Sequence, residues 1–221
     1  MGKPDGAYIA CMEDVLDVYE EPADPARPRL CFDELPCQLL GDILVPLPMR
    51  PGSSRKEDYE YERLGTCSLF LAYDLDRGQR YLQVRSQRTK ADYADFWDWL
   101  TTTHYPNVAE LRVIQDNLNT HSYGSFYEHL PAQRAHQLKN QLDFHFTPKH
   151  GSWLNMAEIE LSVLVRQCLD RRIPSQQVLA HEALAWQTER NQAAIQIAWT
   201  FTTTKARSKL SRHYHNLNSK N

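Results

Sequence analysis

The chain has 221 residues, 42% of them hydrophobic, and a net charge of −3, enough for one good-sized core and most simply a single domain with appendages. An acidic balance sets it apart from a generic basic nucleic-acid binder, and no stretch approaches the roughly 20 apolar residues of a membrane span. Five scattered cysteines (Cys11, Cys31, Cys37, Cys67, Cys168) with no Cys-x-x-Cys pair argue against a disulfide framework or a cysteine zinc site, and the acids near the N-terminus argue against a signal peptide. A soluble protein of a reducing cytoplasm is expected.

Residues 11 to 24 alternate acids with Met12, Val15, Leu16 and Tyr19, an acidic amphipathic helix. Arg29 to Glu34 reads as a short strand, and the proline- and glycine-rich stretch after it predicts a long irregular loop over 36–65. Thr66 to Asp74 and Gln79 to Arg85 predict a β-hairpin around Leu75-Asp76-Arg77-Gly78. Lys90 to Thr103 has helical spacing, Leu111 to Gln115 is a buried strand, and 122–142 is helical with a break near Pro131. Leu142 to Phe146 is a short strand, a Pro148-to-Ser152 loop leads to a helix carrying Glu158, and another helix covers Ser175 to Arg190. This order predicts an α/β fold with a mixed five-stranded sheet and helices on both faces. Its organisation reads as 1–28 helix and linker, 29–191 central domain and 192–221 basic tail.

Three carboxylates occupy distinctive settings. Asp33 and Asp116 each end a short apolar run, and Glu158 falls on the first turn of a helix. Side by side on parallel strands, the two aspartates form a costly like-charge contact unless a cation neutralises it. Oxygen ligands of this kind suit Mg²⁺ or Mn²⁺, and a pair of such ions serves phosphodiester chemistry. Each acid also has a structural reading: Asp33 as a turn former before Pro36, Asp116 as a strand terminator, and Glu158 as the partner of an Asn155 cap. At 100° per residue Glu158 shares the stripe of Leu154, Leu161, Val165 and Leu169, which aims it at the protein body, and Glu160 is expected to face solvent. Asn117, Asn119 and His121 follow Asp116 and, with Lys149 and His150, are candidate phosphate contacts. No acid follows Glu189, while Arg190, Lys205, Arg207, Lys209, Arg212 and Lys220 do, so the tail is a candidate DNA contact.

Phe-Asp-Glu at 32–34, Gln-Asp-Asn-Leu-Asn-Thr-His at 115–121 and Phe-Thr-Pro-Lys-His-Gly-Ser-Trp-Leu-Asn-Met-Ala-Glu-Ile-Glu at 146–160 closely resemble the catalytic domain of bacterial insertion sequence 630 transposases, in the Tc/mariner superfamily. Further matches at 12–16, 59–63, 166–174 and 199–203 extend the resemblance across nearly the whole chain. The resemblance implies a ribonuclease H-like fold and a DDE triad of Asp33, Asp116 and Glu158 holding two Mg²⁺ ions, with Mn²⁺ as a substitute and no small-molecule cofactor. It also implies cleavage at transposon ends and strand transfer to target DNA, typically at TA, by a homodimer in the bacterial cytoplasm, associated with the nucleoid when bound to DNA. The loop at 36–65 is then a partner contact.

Two departures stand out. The helix-turn-helix domains that precede the catalytic domain in such proteins have no counterpart in these residues, and Asp116 and Glu158 are 42 positions apart (158 − 116), somewhat more than in the mariner branch. The alternative expectation is a non-catalytic remnant or accessory protein that dimerises with full-length transposase or occupies DNA without cutting it.

Overall fold

The structure, a computed structural model, describes residues 5–54 and 58–218; Lys220 lies outside them. Strands β1 (Arg29–Asp42), β2 (Tyr61–Asp74) and β3 (Gln79–Arg85) form an antiparallel meander. Strands β4 (Leu111–Gln115) and β5 (Leu142–Phe146) lie parallel to β1 on its other side, which gives the order β3-β2-β1-β4-β5. The expected mixed five-stranded sheet is what forms.

Side-chain alternation along the strands builds two cores. Leu30, Phe32, Phe70, Ala72, Leu111 and Val113 project to one face, against Tyr93, Phe96, Trp97 and Leu100 of α2 (Lys90–His104) and Phe126, Ala135 and Leu138 of α3 (Tyr123–His129) and α4 (Ala132–Gln141). Thr89 and Asp92 start α2 with a reciprocal capping box, and Pro131 separates α3 from α4. Cys31, Leu69, Leu71, Tyr73 and Ile114 project to the other face. That face is covered by α1 (Gly6–Glu20), α5 (Met156–Leu164), which runs on as a π-helical turn over Val165–Leu169, and α6 (Gln176–Gln192). The acidic helix α1 belongs to this core: Met12, Val15 and Leu16 are fully buried. Its polar side receives the tail, where α7 (Thr203–Lys209) and α8 (Ser211–Asn218) dock through Arg207 and Tyr214 on Glu13 and through Thr203 on Asp17.

The irregular loop expected over 36–65 is a correction. β1 and β2 stay paired as far as Asp42 and Tyr61, and the irregular part shrinks to the described residues between them. Pro36 does not end β1 because β4 pairs only with Arg29 to Cys31, and proline is tolerated where one side of a strand has no partner. A bulge at Leu39/Leu40, with Gly65 at φ 112°, twists this two-stranded arm, and Leu39 and Cys67 bury against Ile173 and Leu179.

The outer edge of β3 is capped by amide side chains of α6. Asn191 accepts from the Arg80 N–H (2.8 Å) and donates to the Arg80 carbonyl (2.9 Å). Gln187 accepts from the Leu82 N–H (2.7 Å), and Gln176 donates to the Val84 carbonyl (3.2 Å).

Candidate active site

The parallel register aligns the two aspartates. Cys31 pairs with Ile114, and two residues further along each strand come Asp33 and Asp116. The same alternation that buries Cys31 and Ile114 under α5 turns both carboxylates to that face. Asn155 fixes the start of α5 over them: its Oδ1 caps Ala157 N–H (3.1 Å), while its Nδ2 donates to the Phe32 carbonyl (2.8 Å) and reaches Asp33 Oδ2 (3.4 Å). Asp33, Glu158, Leu161, Ser162 and Arg166 then line one groove.

The phase of α5 differs from that expected. Glu158 is exposed at the rim of the groove, and Glu160 is the buried acid, with no exposed surface. Leu154 lies on a 3-10 turn (Ser152–Leu154) before the helix, and the π-helical turn begins at Val165. Neither end of the assumed stripe follows the 100° step, so the true buried stripe is Ala157, Glu160, Leu161 and Leu164. Glu160 accepts from Arg80 (2.9 and 2.7 Å) and from Arg190 (3.2 and 3.1 Å), and Arg80 stacks over the Tyr73 ring at 4.7 Å. Burial of this acid is therefore compensated on both sides.

Among the other predicted residues, Asn117, Asn119, Lys149 and His150 are exposed on the loops that follow β4 and β5, at the same end of the sheet as Asp116. His121 is instead buried beneath it: Nδ1 bonds Asp116 Oδ1 (2.5 Å) and Nε2 bonds Glu34 Oε1 (3.0 Å). Burial alone would lower the pKa of this imidazole, but the two carboxylates outweigh it and push it up to about 9. Arg207 of the tail is paired with Glu13, Lys209 sits over the Phe201 ring, and Lys205 and Arg212 are exposed. Glu34 and Arg166 were not singled out in the sequence. The contact of Glu34 with His121 spans 87 positions, beyond any local pattern, and Arg166 enters the groove two helical turns beyond Glu158.

Burial, and then the charges of Asp116 and Glu158, push Asp33 up to about 7, against the pull of the Glu34 N–H that donates to it. Among the described residues no group of three or more His, Cys, Asp or Glu side chains is close enough as it stands to hold a metal ion. The donor chemistry nonetheless suits one. Burial, aided by the charges of Asp116 and Glu158, holds the Asp33 carboxyl up at about 7, His121 takes Oδ1 of Asp116, and Glu34 Oε2 is buried without a hydrogen-bond partner. Hard oxygen donors with unsatisfied charge fit Mg²⁺ or Mn²⁺.

A carboxyl with a raised native pKa destabilises the fold as it ionises, so its contribution is lost as pH rises from about 4 through 7. In metal-free buffer Asp33→Asn should match wild type at pH 4 and exceed it at pH 7.5 by on the order of 2–4 kcal/mol, or roughly 4–16 °C in Tm. A stability difference that does not change with pH, measured by thermal melts, would refute this account of the site.

Residues 28–180 match the DDE superfamily endonuclease family. This chain belongs to that family. No characterised protein matches the sequence of this DDE endonuclease, but its fold is that of solved transposases. The Mos1 mariner paired-end complex with Mn aligns at TM-score 0.57 and 11% identity over 97% of this chain and 64% of the other. The Mos1 strand transfer complex aligns at TM-score 0.56 and 13% identity, over 95% and 60%. The isolated catalytic domain of Mos1 mariner transposase aligns at TM-score 0.52 and 10% identity, over 98% and 91%. The sheet and its helices are thus those of a ribonuclease H-like DDE catalytic domain, and the chain spans about three-fifths of the longer transposase chains. No helix among the described residues is long and apolar enough to cross a membrane.

Proposed function

We propose that this DDE endonuclease is the catalytic domain of a transposase of the insertion sequence 630 type, which cuts DNA at transposon ends and joins the freed 3′-hydroxyl to target DNA at TA. The observation that carries the reading is the level register of Asp33 and Asp116 with α5 and Glu158 over the same face, in a chain of this family. Asp33 and Asp116 would hold divalent metal, with Glu158 completing the set. Two bound Mg²⁺ or Mn²⁺ ions would activate the attacking oxygen and stabilise the leaving one. Mn and Mg accompany solved Mos1 complexes.

The chain's own residues supply binding and orientation. Glu34, through His121, fixes the carboxylate of Asp116, and Arg166 in the groove offers a guanidinium to a phosphate. Asn117, Asn119, Lys149 and His150 surround the strand ends as further phosphate contacts. The catalytic unit is 29–191, with 1–28 and 192–221 as the appendages. A homodimer is part of the reading: Ile43, Leu44, Val45, Leu47 and Met49 at the end of the β1–β2 arm are all more than half exposed, an apolar patch suited to a second copy.

Nicking of supercoiled plasmid by the purified protein should require Mn²⁺ or Mg²⁺ and stop with EDTA. Nicking that persists in EDTA, or no nicking in either metal, would overturn the proposal and favour the non-catalytic alternative.

A further inference from the structure

The Trp-Thr-Phe-Thr-Thr segment at 199–203 and the half-exposed Trp153 have no part in the chemistry above, yet they meet beside it. Trp153, on the 3-10 turn before α5, is 43% exposed and meets the Phe201 ring edge-on at 5.3 Å. Lys209 Nζ lies 5.7 Å from the centroid of Phe201, and exposed Lys205 donates to the Thr200 carbonyl at 2.6 Å. The cluster is held in place from below. Tyr19 donates to the Leu154 carbonyl (2.7 Å) and packs its ring on Trp199 (5.0 Å), and Trp199 Nε1 donates to the Phe201 carbonyl (2.7 Å). Asn155, the next residue after this turn, is the one that reaches Asp33. Trp153 is therefore two positions from the side chain that reaches Asp33.

An accessible indole beside a second ring, flanked by ammonium groups, has the chemistry that takes an unstacked base and its neighbouring phosphates. The acids around the tail are already engaged: Glu13 is paired with Arg207 and bonded by Tyr214, and Asp17 and Glu20 accept from Thr203. We propose that Trp153, Phe201, Lys205 and Lys209 form a subsite for an unpaired segment of DNA strand next to the carboxylates, with Trp153 stacking on a base and the lysines on phosphates. The choice of DNA rests on the nuclease reading; the stacking site rests on the cluster.

The test is fluorescence anisotropy of a labelled blunt duplex and of the same duplex with a single-stranded 3′ extension, both in EDTA. Trp153→Ala should weaken binding of the extended duplex about ten-fold and leave the blunt duplex within about two-fold, while Trp153→Phe keeps most of the affinity. Lys205→Ala and Lys209→Ala should each reduce the slope of log K against log salt by about 0.7 for the extended duplex. Equal losses on both duplexes, no loss in Trp153→Ala, or no DNA binding by wild type would each overturn the subsite. Cleavage plays no part in EDTA, so selective binding together with failed nicking would sink the nuclease reading and leave the subsite standing.

Discussion

Asp116→Ala should lower metal-dependent plasmid nicking by at least about a thousand-fold relative to wild type, with the far- and near-UV circular dichroism unchanged. Charge stabilisation by a bound metal is worth several kcal/mol in such a transition state, and each 1.36 kcal/mol is a factor of ten in rate. Asp116 suits the test because its side chain is 36% exposed and carries little of the packing. Its loss leaves His121 still bonded to Glu34. Asp33→Asn and Glu158→Gln should show the same loss of cleavage, but Asp33→Asn should be the more stable protein at neutral pH. Stability and activity thus move in opposite directions at Asp33, an outcome that a purely structural aspartate does not give. Activity within ten-fold of wild type in Asp116→Ala would remove these carboxylates from the chemistry.

The second large effect concerns the acid that sequence phase assigned to solvent. Glu160→Ala should destabilise the protein by about 3–5 kcal/mol, because it leaves fully buried Arg80 without its carboxylate. For a chain of this size that is a fall in Tm of roughly 6–20 °C. The double variant Arg80→Met, Glu160→Leu should recover much of the loss, since replacing both buried charges by apolar groups is often neutral. An unchanged Tm for Glu160→Ala would show that the triad is not the seat of α5. In the double variant nicking should still fall below wild type, because the rotation of α5 that presents Glu158 is then set by apolar contacts alone.

Much of this architecture was legible in the residues. β3, β4 and β5 have the bounds expected of them, because each is a short run of strand-forming residues, and β4 is buried along its whole length. The aspartates were legible as polar residues that follow short apolar runs; Asp116 comes directly after β4, whereas Asp33 lies inside β1, which continues to Asp42. What failed was any inference that depended on a distant partner. Pro36 looked like a terminator until the pairing of β1 with β4 proved to stop at Cys31. Glu160 looked like a solvent residue because the 3-10 turn before α5 and the π-helical turn after it break the 100° phase, and its compensating arginines lie 80 and 30 positions away. The tail read as a run of free cations, whereas the structure pairs Arg207 with Glu13, across 194 positions. A one-dimensional pattern records spacing and charge but not which opposite charge the fold brings up against them.

The amides of Gln176, Gln187 and Asn191 that occupy the rim of β3 have a bearing on how copies of this protein can meet. The Arg80 N–H and carbonyl, the Leu82 N–H and the Val84 carbonyl are already bonded and offer no template to another chain, and at the far side α1 is fastened to β5 through Asp14 and His145. Lateral extension of the sheet past β3 is therefore opposed at these four groups. Any self-association is left to side-chain contacts, with the projecting β1–β2 arm as the available handle, and it should be reversible and sensitive to single apolar-to-charged changes there rather than fibrous.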